Sequence, residues 1–198
     1  MARPIAKDHD AKRVHILKTA ARVFAQTGFA RASMSQVARD CGVSKANIYH
    51  YYDSKDALLF DILDTYLLAL RDRILLLPLG GMTPDAQLRA IVAETLHAYD
   101  GMDDEHKIQT EGLPLLPPAQ QAILKGYQRD MVARFSDVIA ANAPGVFAHD
   151  PQKLRATVMS VFGMLNWFYM WNNAADDAAR AEYAELVTRL TLSGVAGL

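Results

Sequence analysis

Residues 33–55, SMSQVARDCGVSKANIYHYYDSK, decide the fold of the N-terminal part of this chain. Ser33 is a favoured N-cap for a helix over residues 34–41, because its hydroxyl can accept a hydrogen bond from a free backbone N–H of the first turn. Gly42 then allows the left-handed conformation in which helices often end, and Ser44 is a second N-cap. The pattern predicts two short helices joined by a tight turn, which is a helix-turn-helix.

The second of these helices, over residues 45–51, begins with residue types that read DNA bases. In a helix-turn-helix the first residues of the second helix meet base edges in the major groove. Lys can pair with guanine, Asn can pair with adenine, and Ala can contact the thymine methyl group. Lys45, Ala46 and Asn47 occupy those places.

Further residues of the stretch are predicted to contact the DNA backbone. Ile48 and Tyr51 recur at helical spacing and are expected to face inward, so that Tyr49 and His50 point outward. Ser54 caps a third helix, where Lys55 and the free N–H groups of the first turn suit a phosphate. The predicted DNA-binding residues are Ser33, Ser35, Ser44, Lys45, Ala46, Asn47, Tyr49, His50 and Lys55. A helical corner that never touches DNA is the alternative interpretation.

The residues around the motif form a recognisable pattern. They are Ile16, Ala20-Ala21, Phe24, Gly28-Phe29, Val37-Ala38, Gly42-Val43-Ser44, Ile48-Tyr49, Tyr51-Tyr52 and Lys55. This pattern resembles the N-terminal domain of the TetR family of bacterial transcriptional regulators. Tyr52 departs from it, because the family commonly has Phe there, and the ring is expected to keep the packing. The resemblance implies a twofold dimer with two DNA-reading heads and a helical body that binds a small effector.

Charge is divided unevenly along the chain. The 198 residues have a net charge of −1, but residues 1–57 carry ten Lys and Arg against five Asp and Glu. Residues 58–198 carry eleven Lys and Arg against seventeen Asp and Glu. A basic head on an acidic body is the pattern expected when only the head meets phosphate.

The sequence argues against membrane, secreted and enzymatic classes. No apolar run is long enough to span a bilayer, the start lacks an apolar signal segment, and Cys41 is the single cysteine. A cytoplasmic location follows as an expectation. The chain lacks a Gly-rich phosphate loop, a nucleophile elbow and a metal-spaced His pair. The acidic run 103–105 is interpreted as a helix start, because adjacent oxygen ligands cannot all converge on one ion. No catalytic residue, cofactor or metal site is predicted.

An all-α fold of two domains is predicted. Residues 1–55 are assigned to the helix-turn-helix domain and residues 56–198 to an effector-binding and dimerisation domain. Residues 1–10 are expected to form a polar arm, either disordered or lying in the minor groove. Asp10 is expected to cap the first helix, with Val14, Leu17, Ala21 and Phe24 on its apolar side. The predicted helices outside the motif cover residues 11–26, 54–77, 84–99, a short segment opening at 103, 119–142, 151–173 and 176 or 177 to 192.

One helix of the body is nearly apolar all round, between residues 158 and 171. Such a helix must be covered on every side. One stripe comprises Val158, Val161, Phe162, Leu165, Phe168 and Tyr169, and another comprises Met164, Trp167 and Trp171. We expect one stripe to pack within the subunit. The other side, with the last helix, is expected to meet a twofold mate in a four-helix homodimer interface.

Large apolar side chains in the body predict a site for a small hydrophobic effector, since ligand sites are mostly apolar with few polar anchors. The predicted lining residues are Leu96, Tyr99, Met102, Tyr127, Met131, Phe135, Met164 and Trp167, with His97, Asn166 and Arg134 as polar anchors. Ordinary core packing is the alternative for each of them. Residues 162–171 resemble a subgroup of TetR regulators that respond to acyl-CoA thioesters, and an unrelated hydrophobic drug or metabolite is the competing effector.

The predicted function is a ligand-responsive regulator, most simply a repressor, that binds double-stranded operator DNA as a homodimer and has no membrane partner. An activator, or a constitutive DNA-binding regulator without an effector, is the alternative. An enzyme is the rival from another class, and turnover without DNA would identify it.

Overall fold

A computed structural model gives the fold of residues 3–172 and 175–195, with side chains described from His9 onward. Every regular element in that part of the chain is helical. The helices are α1 (Arg3–Thr27), α2 (Met34–Asp40), α3 (Lys45–Tyr51), α4 (Lys55–Leu75), α5 (Pro84–Ala98), α6 (Asp103–Gly112), α7 (Pro118–Asn142), α8 (Pro144–Phe147), α9 (Pro151–Trp171) and α10 (Asp177–Val195). A 3-10 turn at Leu113–Leu115 follows α6. The predicted all-α class is confirmed.

The described residues fall into two compact units. One unit extends up to Leu67 and includes residues 101–124, and the other comprises residues 68–100 and those from Lys125 onward. This division differs from the predicted domains, because α6 packs against α1 and therefore groups with the N-terminal helices. The functional boundary between residues 55 and 56 stays a prediction.

The N-terminal unit is built around α1, which contacts α2 and α6. Ile16, Ala20 and Phe24 are buried in its core, together with Val37 of α2 and Ile48 of α3. Val14 is exposed, so its predicted place on the apolar side of α1 is wrong. Because Ile16 and Ala20 are buried, the inward side of α1 is rotated slightly about the helix axis relative to the predicted one.

The predicted polar arm is also wrong for its described part, since α1 begins at Arg3 and not near residue 11. Pro4 lies in the first turn, where its missing N–H costs no helical hydrogen bond. The ring of His9 stacks on Tyr51 of α3, with centroids 4.8 Å apart. This contact gives the early turns of α1 a partner that a cap signal at Asp10 does not reveal. Met1 and Ala2 lie outside the described residues.

In the second unit α10 packs along α5, and α9 contacts α5, α8 and α10. Of the two predicted stripes of α9, the one that packs within the subunit is that of Val158, Val161, Phe162, Leu165 and Phe168, which are all buried. The four-residue helix α8 was predicted as a break, but Pro144 suits the first turn of a helix as well as a loop.

Large apolar side chains remain exposed on the outer surface of α9 and α10. They are Met159, Trp167, Met170, Trp171, Leu186 and Leu190, which we call the outer apolar face. Trp167 is 61% exposed and Leu190 is 54% exposed. An apolar surface of this kind on two adjacent helices is typical of a protein–protein contact.

Within the described segments, no helix combines the length and the apolar character needed to cross a bilayer.

Candidate functional site

The caps predicted for the helix-turn-helix are present. Ser33 Oγ accepts a hydrogen bond from the backbone N–H of Gln36 at 3.2 Å, and Ser44 Oγ accepts one from Asn47 at 3.1 Å. Gly42 has φ +68°, the left-handed conformation that lets the chain turn between α2 and α3. These local contacts fix where α3 begins, and therefore which residues lie in its first turn.

Burial of one side of α3 fixes the side that it presents to solvent. Ile48 is completely buried, whereas Lys45, Ala46, Asn47, Tyr49 and His50 are exposed. The Lys45 ammonium lies 5.7 Å from the centre of the Tyr49 ring, a cation–π arrangement that orders both side chains. Ser33, Ser35 and Ser44 are exposed as well. Eight of the nine predicted DNA-binding side chains therefore face solvent.

Lys55 is the exception. Its ammonium donates to the carbonyl oxygens of Phe29 at 2.7 Å, Ala30 at 3.3 Å and Ala32 at 3.0 Å. It also lies 4.4 Å from the centre of the Phe29 ring. A lysine ammonium has three N–H donors, so no donor remains for a phosphate. The predicted phosphate contact of this side chain is therefore corrected: Lys55 closes the turn between α1 and α2.

The hydroxyl of Tyr52 has a structural partner that sequence reasoning missed. It donates to Asp61 Oδ2 of α4 at 2.6 Å, and Arg13 Nε of α1 donates to the same oxygen at 3.1 Å. Burial raises the pKa of Tyr52, and the hydrogen bond to Asp61 adds to that rise, so the hydroxyl remains a neutral donor. Tyr52 caps the C-terminus of α3. The network therefore ties the end of α3 to α1 and α4. The signal in the sequence was Tyr in place of the commoner Phe.

Tyr52→Phe is expected to lower the melting temperature by about 2–4 °C, the equivalent of about 1 kcal/mol for one buried hydrogen bond in a chain of this size. The ring keeps its packing and Asp61 keeps Arg13, so the loss reflects the hydroxyl alone. Thermal unfolding followed by circular dichroism measures it. Tyr49→Phe, which removes an exposed hydroxyl from the same helix, is the matched control. Equal melting temperatures for both variants and the wild type would show that the bond to Asp61 contributes nothing.

Another set of polar contacts joins α1 to α6 and the turn before it. Lys18 Nζ lies 2.9 Å from a carboxylate oxygen of Glu105, which is buried, and it donates to the carbonyl of Gly101 at 2.9 Å. It also contacts the sulfur of Met102 at 2.9 Å. Met102 therefore groups with the N-terminal unit, whereas the other predicted effector-lining residues group with the second unit. Its predicted role in an effector site is not supported by these contacts.

Several predicted effector residues are buried in the second unit. Leu96, Met131 and Phe135 are buried, and the Phe135 and Phe162 rings lie 4.6 Å apart. Tyr99 donates its hydroxyl to Asn166 Oδ1 at 2.7 Å, and burial raises its pKa. The structure therefore brings Tyr99 together with one of the three predicted polar anchors, Asn166.

The remaining predicted effector residues make other contacts or lie at the surface. Trp167 belongs to the outer apolar face, and its predicted place among the effector-lining residues stays a prediction. Met164 lines a shallow groove of about 210 Å³ between α9 and α10, shared with Thr157, Ser160, Val161, Leu190, Thr191, Gly194 and Val195. Tyr127 lies 5.9 Å from the Arg71 guanidinium. The anchors His97 and Arg134 contact Asp177 and the Leu77 carbonyl respectively.

Arg180 was missed by the sequence analysis although its spacing gave a signal. It stands four and seven residues before Ala184 and Val187, which are both buried on α10. Arg180 is likewise buried, and its Nη2 donates to Asp100 Oδ1 at 2.9 Å. A cation on the inward stripe of an amphipathic helix is unusual, because a buried charge needs partners.

No cluster of three or more His, Cys, Asp and Glu side chains is placed to hold a metal ion in residues 3–172 and 175–195.

Two family models match the chain. The model described as bacterial regulatory proteins, tetR family, matches residues 16–62, and the tetracyclin repressor-like C-terminal domain matches residues 81–195. A TetR-family transcriptional regulator from Bordetella parapertussis is similar in structure, with a TM-score of 0.85 and 32% identity over 94% of this chain and 96% of that one.

Less similar structures share the fold. AibR in complex with isovaleryl coenzyme A and operator DNA has a TM-score of 0.74 at 23% identity, over 91% of this chain and 98% of that one. FadR from Bacillus subtilis in complex with stearoyl-CoA has a TM-score of 0.69 at 15% identity, over 91% and 98%.

Curated relatives match over shorter segments. The uncharacterized HTH-type transcriptional regulator YerO of Bacillus subtilis is 39% identical over 28% of this chain and 19% of its own length. The HTH-type transcriptional repressor KstR2 of Rhodococcus jostii is 29% identical over half of each protein. The chain thus spans at most half the length of these two relatives.

Proposed function

The chain belongs to the TetR family of bacterial regulatory proteins, and on that premise we propose that it is a repressor released from its operator by a small effector. The family is one of DNA-binding transcriptional regulators. The observation that carries the proposal is the first turn of α3, where Lys45, Ala46 and Asn47 stand exposed on a helix held by buried Ile48.

Residues 1–55 act in this proposal as the DNA-reading head. Lys45 and Asn47 read base edges, and Ala46 contacts a thymine methyl group. Ser33, Ser35, Ser44, Tyr49 and His50 hold the DNA backbone. Residues 56–198 carry the effector site and the dimer interface.

A homodimer through the outer apolar face supports binding to a palindromic operator. A twofold dimer presents two heads to two half-sites, so operator symmetry follows protein symmetry. The exposed Trp and Leu side chains of α9 and α10 would be covered in such a four-helix interface.

Acyl-CoA thioesters are one candidate class of effector. Support comes from structures of the same fold that hold isovaleryl coenzyme A or stearoyl-CoA. Free organic acids and other hydrophobic metabolites are the competing classes. The effector acts by binding the DNA-free form more tightly, and a difference of a few kcal/mol is enough to change operator occupancy.

A constitutive regulator without an effector is the second candidate function. The observation that favours it is the burial of Leu96, Met131 and Phe135, three of the predicted effector-lining side chains. Release of a fluorescent operator duplex by acyl-CoA esters and free acids tests the first candidate. A melting temperature that no compound shifts, together with an operator that none releases, would favour the second.

Asn47→Ala is expected to weaken binding to the correct operator by about 10-fold and to remove the preference at one base pair per half-site, since a bidentate base contact is worth about 1–3 kcal/mol. Tyr49→Ala is the contrasting variant and is expected to weaken binding to all sequences by a similar factor. Fluorescence anisotropy with operator duplexes substituted at each position measures both effects. Loss of base preference in Tyr49→Ala with preference kept in Asn47→Ala would reverse the two assignments.

A further inference from the structure

Arg180 is a buried cation whose hydrogen bonding is incomplete. It is 7% exposed. Nη2 donates to Asp100 at 2.9 Å, and Nη1 reaches the Leu96 carbonyl at the long distance of 3.4 Å. Nε is buried and meets no acceptor among the described residues. A guanidinium carries five N–H donors, and a buried donor without an acceptor costs free energy. Arg180 Nε can therefore donate to one further acceptor.

One aromatic ring lies near this guanidinium. Its central carbon lies 6.0 Å from the Phe168 ring, and that ring stacks on Tyr183 at 4.7 Å. Tyr99, the C-cap residue of α5, is buried and donates to Asn166 of α9. A buried planar cation beside an aromatic ring, with one donor lacking an acceptor, suits a ligand with an apolar body and one anionic end.

We propose that Arg180 binds the carboxylate of a hydrophobic organic acid, and that this acid is the effector. A carboxylate matches the guanidinium fork and can accept from Nε and Nη2 together. In its described contacts Arg180 meets one carboxylate, one carbonyl and one ring, with no second cation. A coenzyme A moiety carries several phosphate charges and would require more cations than one. The inference rests on the proposed effector-responsive function and specifies the chemistry of its ligand.

The position of Asp100 gives the acid a route to the DNA-binding head. An acid that binds Arg180 competes with Asp100, whose side chain is 64% exposed and can turn to solvent. The next residue is Gly101, whose carbonyl accepts a hydrogen bond from Lys18 of α1. The Arg180 contact lies in one compact unit and the Lys18 contact in the other, and the peptide bond between Asp100 and Gly101 joins them. Loss of the contact between Asp100 and Arg180 therefore frees the backbone directly before Gly101, the residue that Lys18 of α1 contacts.

The first test uses octanoate, decanoate and benzoate, with their methyl esters and octanoyl-CoA as comparison compounds. At least one acid is expected to raise the melting temperature and to release an operator duplex. Its methyl ester is expected to bind at least about 10-fold more weakly, because it lacks the charge that Arg180 recognises.

The second test compares Arg180→Met with Arg189→Met, which removes an exposed arginine of the same helix. For each variant, operator affinity is measured with and without acid, and the ratio of the two affinities gives the response to the acid. Arg180→Met is expected to bind the acid about 100-fold more weakly, as for truncation of a buried charge pair. Arg189→Met is expected to respond as the wild type does. Asp100→Asn removes the internal competitor and is expected to bind the acid about 10-fold more tightly.

Unfolding without ligand separates an anchor from a structural residue. An anchor with an unsatisfied buried donor can be replaced by Met at no cost, so Arg180→Met is expected to melt at or above the wild-type temperature. A structural role predicts a loss of about 5 °C or more.

Four results would each overturn the assignment: equal binding of acid and ester, no binding by any acid, an unchanged acid response in Arg180→Met, or that large loss of melting temperature. Operator release by octanoyl-CoA without any response to acids would remove the Arg180 assignment alone. If no compound releases the operator or shifts the melting temperature, the proposed effector response fails together with the Arg180 assignment.

Discussion

Leu190→Glu is expected to convert the homodimer into monomers and to weaken operator binding by about 100- to 1,000-fold, the loss that follows when two linked binding events become independent. Leu190 is exposed on α10 within the outer apolar face, beside Leu186 of the same helix. In a dimer each protomer would bring one carboxylate into an apolar interface. Desolvating that charge costs several kcal/mol, more than most interfaces can lose.

Sedimentation velocity and operator titration measure the two effects on the same preparations. Leu76→Glu is the matched control, because Leu76 is even more exposed but follows α4 and does not belong to the outer apolar face. The control is expected to remain dimeric. A dimer of Leu190→Glu that binds operator as tightly as the wild type would place the interface on another surface.

The helix-turn-helix could be predicted in detail because its signals are local. Ser33 and Ser44 each bond a backbone N–H three residues later, and Gly42 supplies the one left-handed residue that the turn needs. Such contacts depend only on residues next to each other in sequence. The inward position of Ile48 follows from the same register. For that reason the exposed first turn of α3 was also predictable.

Contacts between residues far apart in sequence were not predictable in the same way. No residue near Lys55 in the sequence indicates that its ammonium donates to the carbonyls of Phe29, Ala30 and Ala32, about 25 residues away. Trp167 shows the same limit, since an all-apolar helix does not reveal which side the subunit covers. The Arg180 signal was present in the helical spacing, but a charged residue is commonly read as exposed.

Ion pairs within the subunit reduce the number of basic side chains that are available to contact DNA. Arg13 pairs with Asp61 and Lys18 pairs with Glu105, so two cations of α1 are neutralised within the subunit. Exposed Lys45 on α3 has no such carboxylate partner among the described ion pairs. The electrostatic footprint on DNA is therefore expected to centre on α3 and its neighbours, with little contribution from Arg13 and Lys18.

Lys55→Met is expected to lower the stability of the head by about 2–3 kcal/mol, because three carbonyls lose a charged donor and the contact with the Phe29 ring is lost. For a chain of this length the melting temperature should fall by about 5–10 °C. Lys45→Met is the matched control: its side chain is exposed, so the melting temperature should hardly change while operator binding weakens.

Salt dependence of operator binding decides between the two roles of Lys55. A lysine that neutralises a phosphate contributes about 0.9 to the slope of log affinity against log salt concentration, and its removal lowers the slope by that amount. Measured below the melting transition, Lys55→Met should keep the wild-type slope, whereas a lysine that contacts phosphate directly should not. A melting temperature equal to that of the wild type, together with a slope reduced by about one, would restore the phosphate contact and leave the turn between α1 and α2 to its other hydrogen bonds.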